Sequence, residues 1–210
     1  MRDPALAAGC AALGLRLPPA TLAALSSYLD LLEKWNRAYN LTAVRTRDAM
    51  VTRHLLDSLA LLPHLPVAGS FIDVGTGPGL PGVPLALCAP ERAFCLLDSN
   101  GKKTRFLFQV KTALALANIR IASERAEDHR PEGAYAGILS RAFAALPAMV
   151  ESCRHFLAPG GAFYAMKAQV AAEELAAAEA LGYRATVTAL VVPGLDEQRS
   201  LITLRPETSA

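Results

Sequence analysis

The 210-residue sequence predicts an α/β fold: a mostly parallel, seven-stranded sheet that ends in an antiparallel hairpin, preceded by a helical extension. Three observations carry this. From residue 70, short apolar runs alternate with helical stretches, the pattern of a parallel sheet covered on both faces. The last two runs, ATVTALVV (185–192) and SLITLR (200–205), leave no room for a helix between them, so they must pair antiparallel. The first run leads directly into a glycine-rich turn, FIDVGTGPGLPG (71–82), where such folds place a ligand.

The elements follow in order. The first 20 residues read as a short helix ending before Pro18 and Pro19. A secretory leader is disfavoured because its positive segment is nearly absent. From Thr21 to Tyr39, the residues Leu22, Leu25, Leu29, Leu32 and Trp35 recur at spacings of three and four, an amphipathic helix. A third helix is expected from about Asp48 to Leu62, with Asp48 capping its start and Pro63 and Pro66 ending it. Residues 1–66 then form the extension, packed on a sheet domain of residues 67–210. Strands are expected at FIDV (71–74), AFCLLD (93–98), IRIA (119–122), AGILS (136–140) and GAFYAMK (161–167), before the hairpin. Helices are expected near 81–89, 102–117, 146–157 and 170–181, with right-handed crossovers.

Composition excludes several classes. At 52% hydrophobic and 19% charged residues, the chain should fold rather than stay disordered. No apolar run approaches the roughly 20 residues that span a bilayer, and a cytoplasmic protein is expected. Cys10, Cys88, Cys95 and Cys153 form no C-x-x-C and have no histidine at ligand spacing, so they read as reduced core residues. His54, His64, His129 and His155 fit no H-E-x-x-H template, and no metal is expected. The net charge of +2 is uninformative, but its distribution is not. Lys34, Arg37, Arg45, Arg47 and Arg53 stand against Asp48 alone, and Lys102, Lys103, Arg105 and Lys111 against Asp98. Such clusters suit a phosphate-bearing partner, and equally an ordinary solvated face.

The glycine turn fits two templates. Gly75, Gly77 and Gly79 read as G-x-G-x-G, which suggests S-adenosylmethionine and methyl transfer. Gly77, Gly79 and Gly82 read as G-x-G-x-x-G, which suggests NAD and hydride transfer. Only about 130 residues follow, too few for a second dinucleotide half or a substrate domain. A parallel sheet closing in a hairpin resembles the class I (Rossmann-like) methyltransferase fold. Pro78, Pro81 and Pro84 also leave fewer N–H groups for a pyrophosphate.

Strand ends supply the candidate site residues. Asp73 would orient the loop or a ligand amino group, and Asp98 would accept both ribose hydroxyls of either cofactor. Ala126 and Glu127 follow the third strand, where an adenine edge can be read. Arg141 follows the fourth and can grip a carboxylate or a phosphate. Arg125 and Lys167 also follow strands, and Arg199 opens the last one. Phe143 would pack or stack on a base, with packing the stronger expectation. No cysteine lies where methylation at pyrimidine C5 would need a nucleophile. SRAF (140–143) stands where exocyclic-amine methylation commonly uses (N/D)-P-P-(Y/F). Guanine N7 needs neither, because its lone pair is free at pH 7 and positioning suffices.

LEKWNRAYNLTAV (32–44), RHLLDSL (53–59), FIDVGTGPGLPGVPLAL (71–87), LLDSNGKKTRFL (96–107), SRAF (140–143) and YAMK (164–167) occur in this order. Together they resemble the bacterial 16S rRNA guanine-N7 methyltransferase G family, also called glucose-inhibited division protein B. The resemblance covers about residues 20–205. It implies methyl transfer from S-adenosylmethionine to N7 of a guanine in the decoding-region loop of small-subunit rRNA. An NAD-dependent oxidoreductase and a non-catalytic RNA-binding assembly protein remain as alternatives. The implied cofactor contacts are Gly75, Leu80, Ala126, Glu127 and Arg141, with Asp98 at the ribose; Asp73, Gly77 and Gly79, read from the loop itself, are further cofactor-binding candidates. The implied RNA- or substrate-facing arginines are Arg125, Arg141 and Arg199, which are also the candidates for a catalytic role. Arg37, Arg45, Arg47, Arg53, Lys102, Lys103 and Lys167 are RNA-binding candidates. Ala168 departs from the glycine that the family often has after this lysine. The expected partner is 16S rRNA, in the small subunit or its assembly intermediate, with the chain a monomer away from membranes.

Overall fold

The computed structural model describes residues 3–141 and 144–207. Two helices, α1 (Pro4–Ala12) and α2 (Pro19–Tyr39), open the chain. Proline suits the first position of α2, where an N–H would have no partner. Asn40 ends α2 in the left-handed conformation, φ 50°, with its N–H on the Asn36 carbonyl. Leu25, Tyr28, Leu29 and Leu32 form its buried face, as the spacing predicts.

The third helix differs from expectation. It begins at Arg47, and its cap is Thr46, whose hydroxyl accepts the Ala49 N–H at 3.4 Å. Thr46 has the extended backbone that a cap needs, whereas Asp48 already lies inside the first turn. The helix is also irregular. A short α3 (Arg47–Met50) passes into a π-helical turn, Val51–Leu56, and then α4 (Asp57–Leu59). A 3₁₀ turn, Leu62–His64, follows.

The sheet consists of β1 (Ser70–Val74), β2 (Ala93–Leu97), β3 (Ile119–Ala122), β4 (Tyr135–Arg141), β5 (Leu157–Lys167), β6 (Tyr183–Leu190) and β7 (Arg199–Pro206). Its order is β3-β2-β1-β4-β5-β7-β6. The first five strands are parallel, and the closing hairpin is antiparallel with β7 inserted between β5 and β6. Helices α5 (Gly82–Cys88), α6 (Gly101–Ala113), α7 (Leu146–Cys153) and α8 (Ala172–Glu179) make the crossovers.

Alternation along the strands divides the interior in two. Phe71, Phe94, Leu96 and Tyr164 face one core; Ile72, Val74, Cys95, Leu97 and Phe163 face the other. The second core is closed by α7 and α8 through Leu146, Met149, Val150 and Ala178. The first is closed largely by the amino-terminal helices, through Leu25, Tyr28, Leu29, Leu32, Leu55 and Leu59. The extension is therefore one wall of the same core. Between Phe71 and Tyr164 the sheet leaves no room for a side chain: a Cβ on Gly137 would lie 2.7 Å from the Phe71 ring. All four cysteines are free. Among the described residues, no helix is long and apolar enough to cross a membrane.

One contact ties the extension to the glycine turn. The buried Tyr28 hydroxyl donates to the Pro78 carbonyl at 2.9 Å, while its ring leans on Phe106 of α6. Tyr28→Phe keeps the ring and strands that carbonyl. It should lower unfolding stability by about 1–3 kcal/mol in urea titrations, whereas truncating the exposed Phe108 to alanine should change it by less than about 0.5 kcal/mol.

Candidate functional site

The site lies along the carboxyl ends of the strands. Its frame is the turn after β1, held by two buried carboxylates. Asp73 Oδ2 accepts the Thr76 hydroxyl at 2.6 Å and the Gly82 N–H at 2.8 Å. Asp98 Oδ2 accepts the Gly77 N–H at 2.9 Å, and its Oδ1 accepts the Asn100 N–H at 2.9 Å. The remaining N–H groups are taken internally. Thr76 donates to the Leu97 carbonyl, Gly79 and Leu80 to that of Thr76, and Val83 to that of Gly79. Pro78 and Pro81 have none. From Thr76 to Val83 every N–H group is therefore committed, and none is left for a diphosphate.

The glycines divide by role. Gly75, Gly77 and Gly79 have φ of 65°, 63° and 98°. A Cβ on Gly77 would meet only the Gly75 carbonyl, at 4.0 Å, so here the left-handed backbone rather than crowding calls for glycine. A Cβ on Gly79 would strike Val83 at 2.4 Å, and one on Gly82 would strike Leu96 at 2.3 Å. These two glycines serve packing of α5 against the sheet. Leu80 is buried in the first core.

Beyond the turn lies a cleft of about 120 Å³, lined by Gly75, Asp98, Ser99, Arg125, Ala126 and Glu127 among others. Asp98 reaches its lip with lone pairs to spare, since two N–H groups and Lys103 at 3.3 Å leave part of a carboxylate's capacity unused. Asp73 is fully buried, and its Oδ1 has no partner among the described residues. Burial pushes the Asp73 carboxyl up to about 7 against the pull of Thr76, Gly82 and Arg141. A larger hollow of about 600 Å³, lined by Arg130, Pro131, Glu151 and His155, does not include the glycine turn.

A second pocket, about 540 Å³, lies at the ends of β4, β5 and β7. Its centre is Asp57. Arg141 Nη1 donates to one Asp57 oxygen at 3.1 Å, and Arg199 Nε to the other at 3.2 Å. The π turn prepares this arrangement. The Asp57 N–H reaches the Thr52 and His54 carbonyls and passes over that of Arg53. Arg141 Nη1 takes the Arg53 carbonyl instead, at 2.9 Å. Arg141 also acts electrostatically on both Asp73 and His54. His54 is buried, with Nε2 on the Thr42 hydroxyl at 2.9 Å. Burial and the Arg141 charge hold its imidazole down at about 4. Thr42 and Asn36 tie the segment after α2 into the same network, which gives both residues of the LEKWNRAYNLTAV stretch a structural role.

The structure brings Arg53, Arg141, Lys167 and Arg199 to one pocket. Arg125 lies with the smaller cleft, together with Ala126, Glu127 and Asp98. Lys167 binds Glu174 at 2.7 Å. Lys103 turns to Asp98 rather than outward, and Lys102, Arg37 and Arg45 are exposed. Arg47 does not fit an RNA contact: its guanidinium points inward to Asp3, Asp30, Glu33 and Ser26, and its donors are spent there. Phe143 lies outside the described residues. Sequence reasoning missed Asp57, His54 and Glu197 as site residues. The available signal was RHLLDSL, where a histidine and an aspartate three apart interrupt an apolar helix.

Asp57→Asn leaves two guanidinium groups facing a neutral partner. Both arginines are partly exposed, so the loss of unfolding stability should be about 1–3 kcal/mol, below the cost for a fully buried pair. The two displaced pKa values have opposite signs. Asp73 is raised in the folded protein, so its contribution is complete below pH 4 and is lost as pH rises towards 7. His54 is lowered, so its contribution is complete above about pH 6.5 and is lost as pH falls towards 4. Stability of the wild type relative to Asp73→Asn should therefore rise on acidification, and relative to His54→Gln it should fall, in urea titrations across this range.

Comparison with known proteins agrees with this geometry. A family model described as rRNA small subunit methyltransferase G matches residues 21–202. A relative from Shewanella amazonensis is 50% identical over 192 residues, covering 91% of this chain and 92% of its own. One from Pseudomonas paraeruginosa is 50% identical over 200 residues, covering 95% and 94%. Both are named ribosomal RNA small subunit methyltransferase G. Among solved structures, a methyltransferase from Pyrococcus furiosus superposes with a TM-score of 0.60 at 14% identity, over 86% of this chain and 98% of that one. The DhpI–SAH complex does so with 0.58 at 16% identity, over 90% and 98%. These distant structures bear on the fold alone, which is Rossmann-like. The model match from residue 21 to 202 and relatives half identical along nine-tenths of the chain settle the family: the chain belongs to the rRNA small subunit methyltransferase G (GidB) family.

Proposed function

We propose that the protein transfers a methyl group from S-adenosylmethionine to N7 of a guanine in 16S rRNA. One observation carries this choice of atom. The pocket at the ends of β4, β5 and β7 is lined by guanidinium groups, its described residues offer no thiol, and its one imidazole, His54, is held down at about 4, which makes it a poor base. Asp57 is held by two arginines, Glu197 is ion-paired, and His54 is buried on Thr42. The cysteines lie elsewhere, and burial raises their thiols. Acceptors that must lose a proton or be attacked by cysteine are poorly served here. Guanine N7 needs only to be placed in line.

The residues present fit the cofactor. The unpartnered Oδ1 of Asp73 suits an amino group beneath the turn. Asp98 suits ribose hydroxyls, and Ala126 with Glu127 borders the base. When bound, S-adenosylmethionine supplies an electrophilic methyl group: the N7 lone pair forms the new bond, and the S–C pair remains on sulfur. No proton moves, and the product guanine carries a positive charge. His54, neutral at pH 7, adds no charge to oppose that development, while Asp57 offsets it. Arg141, Arg199, Arg53 and Lys167 would hold phosphates around the base. Arg37, Arg45 and Lys102 lie exposed as further contacts, and Arg125 flanks the cofactor. The partner is small-subunit RNA, within the subunit or its assembly intermediate, and the chain acts as a monomer.

Labelled S-adenosylmethionine with 16S rRNA or 30S particles lacking the modification tests this. Label should enter one guanine, and strand scission specific for N7-methylguanine should map it. RNA binding without transfer would instead identify a non-catalytic assembly protein. Arg141→Ala should lower kcat/KM by about ten- to a hundred-fold, the loss of a charge-assisted contact; unchanged turnover would contradict its role in the pocket.

A further inference from the structure

At the mouth of the basic pocket, two arginines from distant parts of the chain close on one carboxylate. Arg53 comes from the π turn and Arg199 opens β7. Arg53 Nη2 meets Glu197 Oε1 at 2.5 Å and its Nη1 meets Oε2 at 3.1 Å, a two-pronged grip. Arg199 Nη2 adds a contact to Oε2 at 3.1 Å. We infer that Glu197 holds the place of an RNA phosphate, and that a phosphodiester of the substrate displaces it. The inference rests on the proposed reading of the pocket as the rRNA site.

Three features support it. First, shape: a phosphodiester presents two unbridged oxygens to a guanidinium fork much as a carboxylate does. Second, ease of release: Arg53 and Glu197 side chains are 43% and 47% exposed, and ion pairs so placed are weak. Third, the arginines are unequally anchored. Arg199 keeps its Nε on the buried Asp57, so it stays aimed at the pocket when Glu197 leaves. Arg53 has its side-chain partner in Glu197 among the described residues, so release frees both of its terminal nitrogens.

Glu197 sits in the connection between β6 and β7, which turns through Gly194 over Thr52 of the π turn. A connection at the rim can move aside without disturbing the sheet. With the carboxylate in place, the free protein presents a pocket mouth already partly neutralised. Loose polyanions then meet a competitor, and only an RNA whose other contacts are satisfied removes it.

The test is the affinity of Glu197→Gln, which keeps the shape and removes the charge. Binding of transcribed 16S rRNA is measured by filter retention with S-adenosylhomocysteine present. The dissociation constant should fall about two- to five-fold at low salt, the scale of one exposed ion pair. The gain should fade as salt rises. In an Arg53→Ala background, Glu197→Gln should bring a much smaller gain. An unchanged or weakened affinity in Glu197→Gln overturns the inference, as does a gain of equal size without Arg53. Methyl transfer by the wild type, run in parallel, separates the two levels. If it occurs while Glu197→Gln binds no better, only the place-holding role falls. If the wild type neither binds nor methylates the RNA, the reading of the pocket falls and the inference with it.

Discussion

Two carboxylates at adjacent strand ends, Asp73 and Asp98, determine what the glycine turn can do. Between them they take the N–H groups of Gly77 and Gly82 and the hydroxyl of Thr76. The turn's own carbonyls and that of Leu97 take the rest. From Thr76 to Val83 a turn so committed has a fixed outline and no N–H group for a diphosphate, while Asp98 keeps acceptor capacity at the lip of the cleft and Asp73 keeps a buried oxygen without a partner among the described residues. The same glycines that match a dinucleotide template therefore build something else. Gly82, essential to that template, is where α5 packs on Leu96 and where Asp73 gains a donor.

The amino-terminal helices depend on this frame and complete it. Tyr28 of α2 donates to the Pro78 carbonyl of the turn, and the π turn carries Asp57 to the arginines of β4 and β7. Inserting one extra residue into a helical turn shifts which carbonyls are paired, and such irregularities concentrate at functional sites. Here the shift coincides with the Arg53 carbonyl accepting from Arg141. The chain thus places Arg141 and Arg199 by a buried carboxylate and, for Arg141, a carbonyl rather than leaving them on an exposed face. Their charge is local, directed and partly neutralised, in a protein whose net charge is only +2.

The sheet was legible in the sequence because alternation and run length are local properties. IRIA at 119–122 is a strand to the residue, and the tight link before SLITLR demanded an antiparallel pair. Asp98, Ala126 and Glu127 were legible as a group because strand ends in this architecture converge on one rim. Other features depend on contacts between distant residues. Asp57 reads as a polar position on an amphipathic helix until Arg141 and Arg199, 84 and 142 residues away, meet it. Arg47 reads as one of a basic run, yet its neighbours in space are acids of α2 and Asp3. Thr46 and Asp48 both suit a cap, and only the backbone angles choose. Charge counts along a sequence cannot separate a cation aimed at a ligand from one that staples helices together.

The central claim is that the turn admits a nucleoside but not a diphosphate. Calorimetric titration of the protein with S-adenosylhomocysteine and, separately, with NADH tests it most directly. Saturable binding of S-adenosylhomocysteine with no heat above dilution for NADH is the predicted result. Tight NADH binding, with none for S-adenosylhomocysteine, would contradict the account from the turn upward.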